Sequence, residues 1–216
     1  VSMAKEFKNP ILKQGKEKSD GVVGSFRQRS AGNCFFLSAL MALANDKDGL
    51  AILNKCISPE KDGWRLRFPN IKGNGWFISK KELRSYRLTN GLGKPVNKSV
   101  GLTIGDVDVR LLEIAADKYW LKEVKKEGLW DDVEMNVYYM FTKSPQLVLW
   151  NEKASPQIAI DDMAKTDRLP VGVLKKANYQ SVEALEKSLR KIVEEDKDGI
   201  SISYGDYDEN HAYTII

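Results

Sequence analysis

Histidine is almost missing here: the 216 residues hold one, His211. Cysteine is nearly as scarce, with Cys34 and Cys56 alone. Two cysteines do not make a disulfide framework. With one histidine they cannot fill a four-ligand structural zinc site unless carboxylates join them. The expectation is therefore no resident metal or cofactor, and chemistry suited to a reducing compartment. Long apolar runs are lacking too. No stretch approaches the ~18 consecutive apolar residues of a membrane helix. The run from Cys34 to Ala44 is short and internal. The opening Val1-Ser2-Met3 shows no signal-peptide pattern and reads as the edge of an excised domain. A cytoplasmic protein, or an effector domain acting in a reducing cytosol, is expected. No basic stretch is interleaved with aromatics as single-strand binders require, so no nucleic acid and no membrane are expected as partners.

What is present is ordinary for a soluble globular chain: 42% hydrophobic and 30% charged residues. The length allows one large domain or two lobes sharing a cleft. The net charge of +4 is spread along the chain, with Lys5, Lys8, Lys13, Lys16 and Lys18 near the start. Residues 1–21 read as a linker or flexible N-terminal arm, residues 22–143 as a helical lobe and residues 144–216 as a β-rich lobe. Cys34 to Ala44 should be a helix buried on most faces. Asn45-Asp46-Lys47-Asp48-Gly49 should end it, before a short helix with Leu50 and Leu53. Gly63–Phe68 alternates as a strand, and Gly75–Ile78 is a second short apolar piece after a turn at Gly73-Asn74. Residues 90–101 read as a loop. Asp108 is the expected N-cap of a helix from Val109 to Glu127, with Leu111, Leu112, Ala115, Ala116 and Tyr119 as its buried stripe. A third helix is expected from Ser181 to Glu195. A strand from Ile200 to Tyr204, a loop from Gly205 to Asn210 and a strand from His211 to Ile216 close the chain.

The chemistry-bearing segment is Gln28-Arg-Ser-Ala-Gly-Asn-Cys34-Phe-Phe-Leu-Ser. A cysteine at a helix start sits at the positive end of the dipole. That field and a nearby imidazolium can bring a thiol from ~8.5 into the ~3.5–7.5 range. The thiolate then attacks an amide or thioester carbonyl. The Cys34 N–H and the Gln28 side-chain amide are candidate oxyanion donors, and Gly32 would let the loop between them turn tightly. His211 is the candidate general base and acid. Cys56 reads as structural, and the five tryptophans as packing residues.

Gln28-x5-Cys34 followed by Phe35-Phe36-Leu37-Ser38-Ala39-Leu40 resembles the glutamine–cysteine segment of the calpain branch of papain-fold cysteine peptidases. His211-Ala212-Tyr213 resembles the calpain histidine strand, and Leu111 to Tyr119 the helix that lies between them in that family. The likeness spans roughly residues 22–216, in the family's order. It implies an α+β, papain-like two-lobe fold and a calpain-like cysteine endopeptidase acting on protein or peptide substrates. Cys34, His211 and Gln28 would be its catalytic residues. It also leaves calcium dependence open, although Asp206, Asp208 and Glu209 lack the spacing of an EF-hand loop. Phe35 stands where the family usually has tryptophan, Asn33 where it has aspartate and Asn210 where it has glycine. The family's third catalytic residue, an asparagine downstream of the histidine strand, has no counterpart among the five residues after His211. Two rival readings remain: another thiol acyl-transfer enzyme (deamidase, transglutaminase-like or deubiquitinase), and a catalytically inactive papain-fold binding module.

Overall fold

The computed structural model describes residues 13–29, 31–89, 101–122, 137–138, 140–141, 148–150, 171–175, 181, 183–184, 187, 201–206 and 211–215, the strands from 148 onward by their backbone. In chain order the elements are β1 (Phe26–Arg27), α1 (Cys34–Asn45), α2 (Lys47–Lys55), β2 (Ile57–Glu60), β3 (Gly63–Leu66), β4 (Trp76–Ser79), α3 (Lys80–Ser85), β5 (Ile104–Gly105), α4 (Val107–Lys122), β6 (Val148–Trp150), β7 (Val171–Lys175), β8 (Ser201–Asp206) and β9 (His211–Ile215). The fold mixes α and β. Helices α1 to α4 lie between residues 34 and 122, a part that also holds the four strands β2 to β5. The expected lobe boundary at 143/144 lies outside the described residues.

Helix α1 is built as its composition demands. Phe36, Leu37, Leu40 and Leu43 are buried, and Ala39, Ala42 and Ala44 let neighbouring elements approach closely. Burial of each large apolar side chain contributes about 1.5–3 kcal/mol. The polar run after α1 does not form a long break. Asp46 alone separates the helices, in an extended conformation, and its carboxylate accepts the N–H groups of Asp48 and Gly49 at 2.8 and 2.7 Å. It is the N-cap of α2, and the residues after it begin the helix.

The strands β2, β3 and β4 form an antiparallel sheet in that order. Pro59 falls on β2, an edge strand, where a missing N–H removes no central ladder bond. Gly75, just before β4, has φ +71°, and a Cβ there would sit 2.1 Å from the Leu66 carbonyl oxygen. Only glycine fits that close approach. Trp76 packs edge-on against Tyr119 of α4, and Phe68 packs edge-on against Phe141. These contacts join the small sheet to the core formed by α1 and α4.

Helix α4 begins two residues earlier than expected, and Asp106 caps it in place of Asp108. The Asp106 carboxylate accepts the N–H groups of Asp108 and Val109 at 2.8 and 3.3 Å. Both aspartates are buried because residues 13–20 cross over them. Lys16 N–H donates to Asp106, while the Ser19 hydroxyl and the Asp20 N–H donate to Asp108. The arm is therefore extended but fixed from residue 13 onward; residues 1–12 lie outside the described residues. The expected buried stripe of α4 holds at Leu111, Leu112, Ala115 and Ala116, with Tyr119 partly exposed. Its expected end at Glu127, and the 90–100 part of the expected loop, lie outside the described residues.

The second sheet has the order β6-β7-β8-β9. β6, β7 and β8 pair in parallel, and β8 and β9 pair antiparallel. Parallel neighbours need a crossover of a dozen or more residues, commonly a helix. Of the expected helix over 181–195, residues 183, 184 and 187 are helical, with the Ser181 hydroxyl accepting the Ala184 N–H at 3.1 Å; the other positions lie outside the described residues. β8 continues to Asp206, two residues into the expected loop. Helix α1 lies alongside both β8 and β9.

Candidate active site

Cys34 is the first residue of α1 and is partly exposed. Asn33 precedes it as N-cap but makes no side-chain capping bond, and the first helical turn carries no acidic residue. The Asn33 carbonyl oxygen accepts the N–H groups of Phe36 and Leu37, at 3.1 Å each. The Cys34 N–H lies ahead of these bonds, at the end of the helix where the backbone favours an anion or an oxyanion. Cys56 has the opposite setting. It is 1% exposed, its thiol donates to the Ile52 carbonyl, and burial pushes its pKa up to about 12. A thiol so buried is not a usable nucleophile at neutral pH.

Gln28 sits directly after β1 and is partly buried. Its side-chain Nε2 donates to the Ala31 carbonyl at 2.8 Å. An amide nitrogen has two hydrogens, so this bond fixes the group within its own loop and leaves a second donor. Gly32 has no special part in the turn. It is not among the positive-φ residues, and a Cβ there would meet nothing within 4 Å.

One segment holds this loop at both ends. At its start, β1 pairs with β5, Phe26 opposite Gly105 and Arg27 opposite Ile104. Gly105 has φ +108°, and a Cβ on it would lie 2.7 Å from the Ser25 carbonyl. At its end, the Asn33 Nδ2 donates to Glu113 Oε1 at 2.7 Å. The other Glu113 oxygen accepts the Thr103 N–H and hydroxyl at 2.9 and 2.8 Å. Arg110 Nε donates to the Thr103 carbonyl at 2.9 Å and a second guanidinium nitrogen donates to the Gly105 carbonyl at 3.3 Å. Burial pushes Glu113 up to about 7, against the lowering effect of these donors and of Arg110. Burial likewise raises Asp108 to about 6. Asn33, Thr103, Arg110 and Glu113 were not among the expected site residues. Glu113 carried a readable signal, since it interrupts the apolar run Leu111-Leu112-Glu113-Ile114-Ala115-Ala116.

His211 is the first residue of β9, and Asp206 is its register partner on β8. The chain thus brings the helix opened by Cys34 alongside the strand opened by His211, while Gln28 and Cys34 share one short loop. Residues 207–210, which include Asp208, Glu209 and Asn210, lie outside the described residues. Among the described residues no group of three or more His, Cys, Asp or Glu is arranged to hold a metal ion. No helix among them is long and apolar enough to cross a membrane. Comparison with protein-family models, with curated proteins and with solved structures gave no match.

Proposed function

We propose that the chain is a calpain-like cysteine endopeptidase with a papain-like two-lobe fold, acting on extended segments of other proteins in a reducing cytosol. The observation that carries the reading is the packing of α1, opened by Cys34, alongside β9, opened by His211. These segments are far apart in sequence and are the two that nucleophilic thiol chemistry needs together. The Cys34 sulfur, its proton passed to His211, forms a bond to the scissile carbonyl carbon. The carbonyl oxygen gains negative charge and is met by the Cys34 N–H and the second amide hydrogen of Gln28. The tetrahedral centre collapses, the C–N bond breaks, and His211 protonates the departing amine. Water, deprotonated by His211, then attacks the thioester, and the carboxylate product leaves Cys34 as it began.

Asp206 stands opposite His211 in the β8–β9 ladder, and its substitution tests whether it serves the imidazole.

The test is digestion of an unfolded protein, with new N-termini identified by mass spectrometry. Wild type should cleave and Cys34→Ala should not. His211→Ala should lose about 10²–10⁴-fold, and Asp206→Asn about tenfold or more. Ammonia release without new N-termini would replace the endopeptidase reading with deamidation by the same thiol. Cleavage retained in Cys34→Ala would end it.

A further inference from the structure

Asn33 lies between the loop that carries Gln28 and the helix that carries Cys34, yet its side chain does not do what asparagine at a helix start ordinarily does. An N-cap asparagine accepts a first-turn N–H through its oxygen. Here Nδ2 is directed to Glu113, and Oδ1 is buried with no donor among the described residues. The amide gives up a capping bond and leaves an acceptor unmet in order to reach a carboxylate on another helix. That carboxylate is itself expensive to bury. Glu113 is 2% exposed, and Leu111, Leu112, Ile114 and Ala115 around it are fully buried. An apolar residue would fill this helix face without that penalty. Thr103, also 2% exposed, spends both its N–H and its hydroxyl on Glu113, and Arg110 fixes the Thr103 carbonyl in turn.

We propose that Asn33 and Glu113 are positioning residues that set the start of α1, and with it the Cys34 thiol and N–H, at the proper place relative to Gln28. This rests on the reading of Cys34 as a nucleophile. β1–β5 pairing fixes one end of the loop and the Asn33–Glu113 bond fixes the other. The segment from Thr103 to Glu113 thereby sets the spacing of both oxyanion donors.

The test is the rate of Cys34 alkylation by iodoacetamide, read residue by residue by mass spectrometry on the full chain, with buried Cys56 as internal control. Wild type and His211→Ala set the scale. Asn33→Asp places two carboxylates face to face and should slow Cys34 about tenfold. Glu113→Gln should stay within about threefold of wild type, because a rotated Asn33 amide offers Oδ1 to the new donor. The double variant N33D/E113Q restores one donor and one acceptor across the gap and should recover to within about threefold of wild type. A double variant as slow as Asn33→Asp overturns the clamp, and so does an unaffected Asn33→Asp. Thr103→Val, which removes one donor to Glu113, should slow Cys34 about threefold while Thr103→Ser does not; equal rates for these two overturn the clamp without any change at Asn33 or Glu113. A wild type no faster than His211→Ala removes the nucleophile reading and the clamp together, whereas a His211-dependent wild type with indifferent variants removes the clamp alone.

Discussion

Helices α1 and α4 begin in opposite ways. Asp106 caps α4 through its carboxylate, and the arm from Lys16 to Asp20 closes over that start and the neighbouring Asp108. α1 begins with Asn33, whose side chain makes no capping bond, and with Cys34, which stays partly exposed. The first start is satisfied from within the protein and serves stability. The second turns its N-cap side chain to another helix and leaves Cys34 at the start partly exposed. The difference is not one of residue type, because aspartate and asparagine are equally good caps. It comes from where Glu113 sits, which draws the Asn33 amide away from its own helix.

The largest effect that would sharpen this contrast is at Asp106. Asp106→Ala leaves the N–H groups of Lys16, Asp108 and Val109 without their acceptor. We expect a loss of about 3 kcal/mol in denaturant unfolding, against about 1 kcal/mol for Asn33→Ala. Comparable losses at the two sites would erase the distinction between them.

A second effect concerns pH. Burial raises Asp108 from 3.8 to about 6 and Glu113 from 4.5 to about 7. In that window the folded chain holds protons more tightly than the unfolded one, so stability is highest on the acid side and falls as pH rises through about 6 and about 7. A decline of up to about 6 kcal/mol is expected between about pH 4 and 7, flattened at its upper end by Glu113→Gln and at its lower end by Asp108→Asn. Stability that rises through this window would contradict the burial of both carboxylates. The smallest effect belongs to Gly32. Gly32→Ala meets open space and needs no left-handed backbone, so it should be neutral or stabilising by about 0.5 kcal/mol in the same unfolding assay.

Much of α1, the β3–β4 pair and the interior of α4 could be read from local pattern, because the apolar spacing of a helix or an alternating strand is written in consecutive residues. Other features could not. Val148-Leu149-Trp150 and Val171-Gly172-Val173-Leu174 are short apolar runs without alternation, as parallel strands tend to be. The pattern points to Asp108 as the cap of α4 instead of Asp106, because two aspartates stand two apart before the same apolar stripe. Only the packing of residues 13–20, distant in sequence, separates their roles. Of the candidate site, Cys34 and Gln28 stand out by their spacing, and His211 by its solitude. The pairing of Asp206 with His211 was hidden by reading β8 as ending at Tyr204. Asn33 was read as a departure from the calpain pattern, and its partner on α4 lies 80 residues away.

The claim that α1 presents a working nucleophile to the histidine strand is tested most directly by an epoxide inhibitor of papain-type enzymes, with the adduct located by mass spectrometry in wild type, Cys34→Ala and His211→Ala. The account expects one adduct, at Cys34, formed at neutral pH and lost in both variants while Cys56 stays unmodified. An unmodified Cys34, or one that reacts equally well without His211, would contradict it.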